Sequence, residues 1–482
     1  MPRFAICYPA KDSQKVIVML HAGVVAPANT ALYPPTIVPP EKPIALKRAL
    51  VEYVRNPLRV ISRPVYEEPM VVFEPAPGRL VVWVTRPDLV EQVLITGADK
   101  FQKTDVERRV LGGSLGDGVL TSVGAHWRWQ RRTMAPLFRH QEILTYVPEM
   151  SAAAEVLAAQ WRRGGSRVRA IDADMIDVTF DVIARTMLTG GVPAEAELIK
   201  REGTAFLANS SWELAWALMK FPSWLPHPGT WTRRRAGRRL RQAVGNIVAR
   251  RQAEGAGGND LLGRLLAARN PESGAPMGDE DVISNLLTLL EAGHETTARA
   301  LTWGLYLLAR APEWQERVRA EVIAVAGNAP IEAAHIPRLA ITDRVMKEAM
   351  RLYPPAPVIV RTPTSEARIG DVTIRPRAQV VIPIYAIHRH RKLWDDPDRF
   401  DPDRFLPERE KVMPRAQYMP FGAGPRICLG MSFALVEAVV LLATFIRAAR
   451  FDWDGRHLPE PVSRVTLRPK GGMPLGVMPL PS

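Results

Sequence analysis

The segment FGAGPRICLG at residues 421–430 combines a cysteine with a backbone suited to present it. Cys428 is one of only two cysteines among 482 residues. It precedes a predicted helix, whose unpaired amides and dipole stabilise negative charge at the N-terminus. Arg426 is nearby, and Gly422 and Gly424 allow a tight loop whose amides can point at the sulfur. An isolated cysteine is usually a buried structural thiol, but this setting predicts a lowered thiol pKa and a metal-binding thiolate.

The choice of metal follows from the residues around this thiolate. The segment offers no second cysteine and no histidine, which zinc or an iron–sulfur cluster would need, so haem iron fits better. The segment resembles the haem-binding loop of cytochrome P450 enzymes, Phe-Gly-x-Gly-x-Arg-x-Cys-x-Gly, at all six fixed positions. The resemblance implies that Cys428 is the axial ligand of haem b, that Phe421 packs against sulfur and ring, and that Arg426 approaches a propionate.

A second stretch, AGHETT at 292–297, lies in the longest predicted helix, over residues 279–310. Taken alone, Glu295 and Thr296 would hydrogen-bond within their own helical turn, but a carboxylate in a helix predicted to be buried needs a reason. The stretch resembles the oxygen-binding groove of the same family. That resemblance implies that Gly293 leaves room for dioxygen, Thr296 holds a proton-bearing water, and Glu295 relays protons from solvent.

A third motif, KEAMR at 347–351, places Glu348 and Arg351 three residues apart. By itself this spacing usually gives a minor surface pair. It resembles the Glu-x-x-Arg motif of the family, and Arg404 in DPDRF would complete a trio. This sequence departs from the family pattern at two nearby positions. The family often has Glu where Asp403 stands, and Asp or Asn where His390 stands. The resemblance implies that the trio locks the fold beneath the cysteine loop.

Three arginines and a tryptophan are implied to bind the haem carboxylates. Trp127 and Arg131 lie four residues apart in HWRWQRR, on one helix face, which alone would predict a surface cation–π pair. In the family this Trp-x-x-x-Arg motif reaches a propionate. Arg361, after PPAPVIV, resembles a further propionate ligand, and with Arg131 and Arg426 it would neutralise two carboxylates that are unfavourable to bury unpaired.

The elements that must position these residues are mainly helical, with a minor β portion. Apolar periodicity predicts helices through most of 125–350. The sequence shows no βαβ alternation, which argues against a dinucleotide-binding fold. The other predicted segments are two strands at 71–85, a helix at 87–97, a mobile loop at 104–124, short strands after 353, an irregular stretch at 395–427 and an apolar helix at 429–448. The resemblance spans about residues 70–450 and implies the cytochrome P450 fold, with haem between the long helix and the cysteine loop.

Residues 1–45 are predicted to be a Pro-rich extension with little regular structure, and 46–482 a single catalytic domain. The apolar run in the extension contains His21 and is shorter than the roughly 20 residues of a bilayer span, and it lacks clear signal-peptide features. No transmembrane segment is therefore expected, although the extension can support weak association with a membrane surface. Two cysteines cannot build a disulfide framework, which favours a cytoplasmic protein.

Apolar residues make up 47% of the chain, typical of a globular protein, and the net charge is +14. This charge favours acidic proteins, anionic membranes or nucleic acid as partners. Its densest cluster, RRRAGRRLR at 233–241, is predicted to be a solvated helix face. Neither zinc-ligand spacing nor an aromatic-basic motif supports nucleic-acid binding.

The family resemblance carried by these motifs implies a haem-thiolate monooxygenase that inserts one atom of dioxygen into a C–H bond, with electrons from NAD(P)H. The 482 residues contain no flavin or iron–sulfur domain, so a separate reductase and ferredoxin or flavodoxin are expected. An acidic carrier would suit a basic face near the thiolate. The residues proposed for that face are Arg132, Arg139, Arg389, Arg391, Lys392 and Arg415. The alternatives are a peroxygenase or isomerase and a non-enzymatic haem protein, both disfavoured by the Glu295–Thr296 pair.

The substrate is expected to be hydrophobic, such as a fatty acid, terpenoid or steroid. The pocket is predicted to be lined by residues 104–122, the 200–230 region, Leu289, Ala292 and residues 355–360. Within the 200–230 region the apolar candidates are Phe206, Leu207, Trp212, Trp216 and Met219.

Overall fold

The computed structural model describes residues 5–7, 17–19, 31–75, 78–188, 193–208, 210–219, 221–255, 258 and 260–481. Helices dominate, as the sequence predicts. The α-helices of this described part are α1 (Leu46–Arg55), α2 (Pro87–Glu91), α3 (Asp105–Leu115), α4 (Gly124–Met134), α5 (His140–Leu144), α6 (Val147–Gly164), α7 (Ile171–Met187), α8 (Pro193–Ala208), α9 (Ser210–Leu218), α10 (Thr230–Ala253), α11 (Leu261–Ala267), α12 (Asp279–Arg310), α13 (Pro312–Ala326), α14 (Ala340–Leu352), α15 (Ile384–Ile387), α16 (Pro407–Val412) and α17 (Met431–Ala448).

The strands form a minor part of the fold. They are β1 (Ala5–Cys7), β2 (Ile17–Met19), β3 (Met70–Phe73), β4 (Val81–Val84), β5 (Phe101–Gln102), β6 (Arg167–Ala170), β7 (Ile359–Pro363), β8 (Ala367–Ile369), β9 (Val372–Ile374), β10 (Gln379–Ile382), β11 (Ala449–Asp452), β12 (Pro461–Ser463), β13 (Leu467–Pro469) and β14 (Pro474–Pro479). The largest sheet has the order β3-β4-β10-β7-β5, and β4 pairs with β10 in parallel. The sheets β11-β14-β6, β12-β13, β8-β9 and β1-β2 are antiparallel.

The long helix α12 is the centre of the core. Acidic residues in its first turn and Arg310 in its last complement the helix dipole. Its apolar residues are buried on several faces because it packs against α7, α10, α14 and α17. Among the described residues only α17 has the length and apolar composition of a membrane span, and most of that helix is buried in the core.

The segment 104–124, predicted to be a mobile loop, begins with helix α3. Thr104 caps this helix, because its side chain accepts a hydrogen bond from the amide of Glu107 at 3.3 Å. The helix then packs against α9 and α10. Tertiary packing therefore overrides the weak helix propensity of Gly112 and Gly113.

Residues 32–37 of the predicted extension lie against the domain. The amide of Phe400 donates to the carbonyl of Leu32 at 2.9 Å, and the Tyr353 hydroxyl donates to that of Pro35 at 2.7 Å. Ile37 is buried in the main core. Strands β1 and β2 pair further upstream, where little regular structure is expected.

A buried ion pair supports the loop that precedes the cysteine. Glu348 and Arg351 on α14 are fully buried and form a bidentate pair with N–O distances of 2.6 and 2.7 Å. The Arg351 guanidinium also donates to the carbonyls of His388, Pro397 and Arg399, at 2.8, 2.7 and 3.0 Å. The structure thus places this pair in the core, not at the surface, where the spacing alone would put it.

Arg404 completes the group. Its Nε lies 3.6 Å from a Glu348 oxygen, and its other nitrogens donate to the carbonyls of Asp395 and Asp396. The amide of Asp401 donates to the same Glu348 oxygen at 2.8 Å. The buried Glu348 carboxylate therefore connects helix α14 to the irregular segment that contains Asp401 and Arg404.

His388 connects the ion pair to the cysteine loop. The backbone amide of Met419, two residues before Phe421, donates to its Nε2 at 3.0 Å. Since an amide N–H can only donate, Nε2 is the acceptor, and Nδ1 carries the proton that it shares with the carbonyl of Arg351 at 3.2 Å. Burial, and then the charge of Arg351, lower the pKa of His388 to about 3, so the ring is neutral.

The ion pair yields a stability prediction. Glu348→Gln leaves the Arg351 guanidinium buried without a counter-charge, and we expect a loss of about 3–5 kcal/mol in the free energy of unfolding. Urea unfolding of the haem-loaded chain measures it. Asp371→Asn is the control, because it removes an exposed partner of Arg368 at 3.8 Å and should leave the midpoint nearly unchanged. Equal midpoints for Glu348→Gln and the parent chain would contradict the prediction.

Candidate functional site

A cavity of about 1000 Å³ lies between α12 and the cysteine loop. Ala292, Gly293 and Thr296 line it from the helix, and Phe421 and Cys428 line it from the loop. Most of the remaining lining is aliphatic or aromatic. The residues that the sequence singles out for chemistry thus face one common space.

The loop owes its shape to two glycines with left-handed backbone. Gly422 has φ of 75° and Gly424 has φ of 74°, a region that other residues adopt rarely. A Cβ at Gly424 would also collide with the carbonyl oxygen of Leu94. The amide of Cys428 then donates to the carbonyl of Phe421 at 3.0 Å, which closes the loop just before α17 begins.

The pKa of the Cys428 thiol departs from the sequence prediction. The sulfur lies deep in the protein and meets solvent only because it opens on the cavity. Burial raises its pKa, while the amide of Gly430 and the charge of Arg131 act in the opposite direction without reversing the shift. The expected lowering by Arg426 and the helix N-terminus is therefore wrong for the chain alone, because desolvation of the thiolate is the largest effect.

Three arginines converge beside the loop. Arg361 is buried, and Arg131 and Arg426 are largely so. Burial lowers the pKa of all three, and in Arg426, where Arg361 and Arg131 add to the effect, to about 10. Arg426 stacks on Trp127 with 4.1 Å from guanidinium carbon to ring centroid, so the cation–π partner of this tryptophan is not Arg131, the neighbour on its own helix. Mutual repulsion between desolvated cations predicts an anionic ligand here.

Hydrogen bonding around the arginines supports that prediction. Arg426 donates to the carbonyl of Ser122 at 3.0 Å, but its Nη1 is buried and has no partner in the described part of the chain. Lys103 adds another buried cation and pairs with Glu107 at 2.5 Å. Lys103 and Glu107 were missed from sequence because the surrounding segment is read as a loop. Four cations face one carboxylate, an arrangement that fits the two propionates of haem.

The oxygen-side residues lie on the opposite wall. The Thr296 hydroxyl faces the cavity and donates to the carbonyl of Ala292 at 2.9 Å. A Cβ at Gly293 would lie 2.8 Å from Cδ1 of Ile183, so this glycine also permits close packing of α7 on α12. Gly293 and Thr296 therefore form a small polar patch on a mostly apolar wall.

Glu295 is held by residues that the sequence reading missed. Its carboxylate accepts from Arg299 Nε at 3.0 Å, from Thr466 Oγ1 at 2.8 Å and from Arg468 Nη2 at 2.9 Å. Burial raises the pKa of Glu295, but the charges of Arg299 and Arg468 and the hydrogen bond from Thr466 lower it by more, so the net shift is downward. The spacing of Glu295 and Arg299 on one helix is a visible signal, whereas nothing local announces Thr466 or Arg468 on the β12–β13 hairpin.

Only some of the residues predicted to line the substrate pocket lie on the cavity wall. Phe206, Leu289, Ala292 and the segment 355–361 line the cavity, together with residues of α3. Trp216 instead packs in an aromatic cluster with Trp212, Phe221 and His227. Met219 lies outside the lining, and the side chain of Leu207 lies outside the described residues.

The proposed basic face needs revision. Arg389 is buried, with its guanidinium 4.0 Å from the ring of Tyr385, so it cannot meet a partner. Arg132 pairs with Glu272, Arg391 with Asp398 at 2.7 Å, and Lys392 with Glu68 at 3.5 Å. Arg139 and Arg415 are exposed. Arg139 is adjacent to His140, whose Nδ1 lies 3.0 Å from the Ser432 hydroxyl. Ser432 is close in sequence to Cys428.

The arginine-rich helix α10 is a solvated face with one exception. Arg234, Arg235 and Arg238 are exposed, as predicted. Arg233 is buried and donates to the carbonyls of Phe206 and Val110, at 3.1 and 2.7 Å. That residue holds α3 and α8 against α10.

Comparison with known proteins agrees with this geometry. The cytochrome P450 family model matches residues 48–475. Cyclooctatin synthase of Streptomyces melanosporofaciens is 32% identical over 92% of this chain and 94% of its own length. Cyclooctat-9-en-7-ol 5-monooxygenase of the same organism is 31% identical (92% and 95%), and pentalenene oxygenase of Streptomyces avermitilis is also 31% identical (86% and 91%).

The fold has a matching solved structure. The crystal structure of the cytochrome P450DA heme domain superposes with a TM-score of 0.79 at 25% identity, over 92% of this chain and 98% of that one. Its mutant form gives a TM-score of 0.78 over the same coverage. With the cysteine loop, the arginine cluster and the helical groove in one cavity, these matches show that the chain belongs to the cytochrome P450 family and is a haem-thiolate monooxygenase of that family.

Proposed function

We propose that this enzyme inserts one oxygen atom of O2 into a C–H bond of a cyclic, terpenoid-like hydrocarbon skeleton, with electrons from NAD(P)H through separate redox proteins. The observation that carries the proposal is the apolar cavity with Cys428 on one wall and Thr296 on the other. Bound as haem b through the Cys428 thiolate, the cofactor supplies dioxygen activation, which an electron-rich thiolate favours.

The residues of the chain divide the remaining work. Arg131, Arg361 and Arg426 would hold the cofactor by its carboxylates. Thr296 holds a water by its hydroxyl, and Glu295 passes protons toward that water from the side of the β12–β13 hairpin. Because Glu295 is ionised and paired with two arginines, it accepts a proton before it can donate one. The apolar walls exclude bulk water from the reacting carbon.

The size and polarity of the cavity support a bulky hydrophobic substrate. Its volume of about 1000 Å³ is shared between cofactor and substrate, and aliphatic side chains from α3, α12 and the segment 355–360 dominate the substrate side. Two relatives are named for a monooxygenase of cyclooctat-9-en-7-ol and an oxygenase of pentalenene. Terpenoids thus rank ahead of steroids and fatty acids.

Cysteine replacement tests the ligand assignment. Cys428→Ser should abolish the ferrous–CO spectrum typical of thiolate ligation and reduce NAD(P)H-driven oxygenation to background, because the only other cysteine is at position 7. Cys7→Ser is the matched control and should retain both. A thiolate-type spectrum in Cys428→Ser would show that the ligand is assigned wrongly.

Threonine replacement tests proton handling. Thr296→Ala should bind haem and substrate normally but form product at least about tenfold less efficiently per NAD(P)H, with the lost electrons appearing as hydrogen peroxide, since general acid catalysis is worth about 10²–10⁴-fold. Thr302→Ala removes a hydroxyl with the same type of bond on the same helix, to the Ala298 carbonyl at 2.7 Å, outside the cavity lining. It should leave coupling intact. Equal coupling in the two variants would remove Thr296 from the mechanism.

Charge reversal tests the electron carrier. We expect an acidic ferredoxin or flavodoxin to dock near Arg139 and Arg415, so Arg139→Glu with Arg415→Glu should raise the Michaelis constant for the carrier with little change in turnover at saturation. Added salt should act alike on the parent enzyme, because the Debye length falls from about 10 Å at 0.1 M to about 3 Å at 1 M. Arg234→Glu with Arg238→Glu on α10 is the control. If only the control pair weakened the carrier interaction, this docking face would be wrong.

A further inference from the structure

Glu291 is a buried carboxyl in the substrate cavity that the mechanism does not use. It lies one helical turn before Glu295 on α12, directly after the leucine-rich stretch Leu286–Leu290, and it lines the same cavity. Its side chain is 7% exposed, and neither carboxyl oxygen has a hydrogen-bond partner among the described residues. Glu295, by contrast, receives three donors. A buried polar group without a partner is rare in folded proteins and calls for a ligand.

The neighbouring helix leaves room for this carboxyl. A Cβ at Gly203 of α8 would collide with Oε1 of Glu291 and lie 2.6 Å from Oε2. Gly203 is otherwise in the interior of a helix, where glycine is unfavourable. Phe206, three residues later on the same helix, lines the cavity. The backbone therefore accommodates the Glu291 carboxyl at the edge of the substrate space.

The electrostatic surroundings make the carboxyl neutral. Burial, and then the negative charge of Glu295, raise the pKa of Glu291 to about 8. Glu291 is in no ion pair among the described residues, so its protonated form predominates at neutral pH. A protonated carboxyl offers one O–H donor and one carbonyl acceptor, which together match an alcohol rather than a cation.

A second polar atom on the cavity wall lacks a partner too. The hydroxyl of Ser114 on α3 is buried and makes no hydrogen bond within the described part of the chain. Ser114 lines the same cavity as Glu291, and α3 packs against α12. The hydroxyl of Thr288, one turn before Glu291, is by contrast satisfied by the carbonyl of Ser284 at 2.8 Å.

We propose that Glu291 anchors the substrate by hydrogen-bonding a hydroxyl group on its hydrocarbon skeleton, so that the enzyme oxidises an already hydroxylated cyclic compound. This inference rests on the proposed function and narrows its substrate class. A site that hydrogen-bonds a substrate hydroxyl discriminates against the analogue without it, because its own polar groups are then left unpaired. The reaction that supplies the substrate must then be one that installs a hydroxyl on a hydrocarbon, by oxygenation or by capture of water.

Matched ligands test the inference in the haem-loaded full chain. The probes are 5α-androstane, its 3β- and 17β-alcohols and the 3β-amine, with binding followed by the change in the haem spectrum. At least one alcohol should bind the parent enzyme about tenfold or more tightly than the hydrocarbon. Glu291→Leu should abolish that preference, and Glu291→Gln, which keeps a donor and an acceptor, should retain it within about threefold. Thr288→Val, a cavity residue whose hydroxyl is already satisfied, is the control and should retain it.

A second measurement does not depend on ligand choice. The infrared difference spectrum of parent minus Glu291→Gln at pH 7 should contain the C=O stretch of a protonated carboxylic acid, and the alcohol that binds best should shift that band. The ferrous–CO spectrum of each variant confirms that it has folded around haem.

Several outcomes would overturn the inference. These are equal binding of alcohols and hydrocarbon, an unchanged preference in Glu291→Leu, tightest binding of the amine with loss in Glu291→Gln, and absence of the protonated band. If the parent enzyme oxidised the hydrocarbon as well as the alcohols, with coupled use of NAD(P)H, the inference would fall while the proposed function stood. If neither class were oxidised but a linear fatty acid were, the proposed substrate class would fall as well.

Discussion

The buried pair of Glu348 and Arg351 is the interaction on which the rest of the site depends. Its charges can stay in the core only because each is multiply hydrogen-bonded, and the bonding partners are the backbone groups that shape the approach to the cysteine. His388 extends the pair by one more step, since it accepts from the amide of Met419 and donates to the carbonyl of Arg351. The position of the thiol is therefore fixed by polar contacts below the loop and by glycine geometry within it.

The cavity above that loop is divided by charge. One end gathers Arg131, Arg361, Arg426 and Lys103, and burial makes each of these cations less favourable without an anion. The other end is mostly apolar, and its polar groups include Thr296, the two glutamates of α12 and Ser114. A flat molecule with carboxylates on one edge and an apolar body satisfies both ends at once, which explains why the same cavity can bind haem and still present a dry wall to a hydrocarbon.

The sequence predicts those parts of the site that depend on residues close together in the chain. The cysteine loop, the long helix and the Glu-x-x-Arg motif each lie in a short segment, and the structure brings their side chains to the expected neighbourhood. Burial is harder to predict, because Arg389 resembles the exposed Arg391 and Lys392 in HRHRK yet stacks on Tyr385 in the core. Helix α3 was missed because its glycines are poor helix formers, and packing against other helices, chiefly α9 and α10, compensates. The pKa of Cys428 was misjudged because desolvation depends on depth, which no motif encodes.

The contact between Glu295 and Thr466 joins residues 171 positions apart. Thr466 lies in the connection between β12 and β13, and the chain continues from there into β14, which pairs with both β6 and β11. During synthesis a chain emerges from its N-terminus, and its earlier parts can begin to fold first. Helix α12 and its glutamate are therefore complete long before the hairpin that holds the carboxylate exists. The proton-handling side of this enzyme can take shape only after the ribosome has passed the β12–β13 hairpin. A product that ends shortly after α17 would contain the cysteine loop and Arg299 but lack the Thr466 hydroxyl and the Arg468 guanidinium, two of the three groups that hold Glu295.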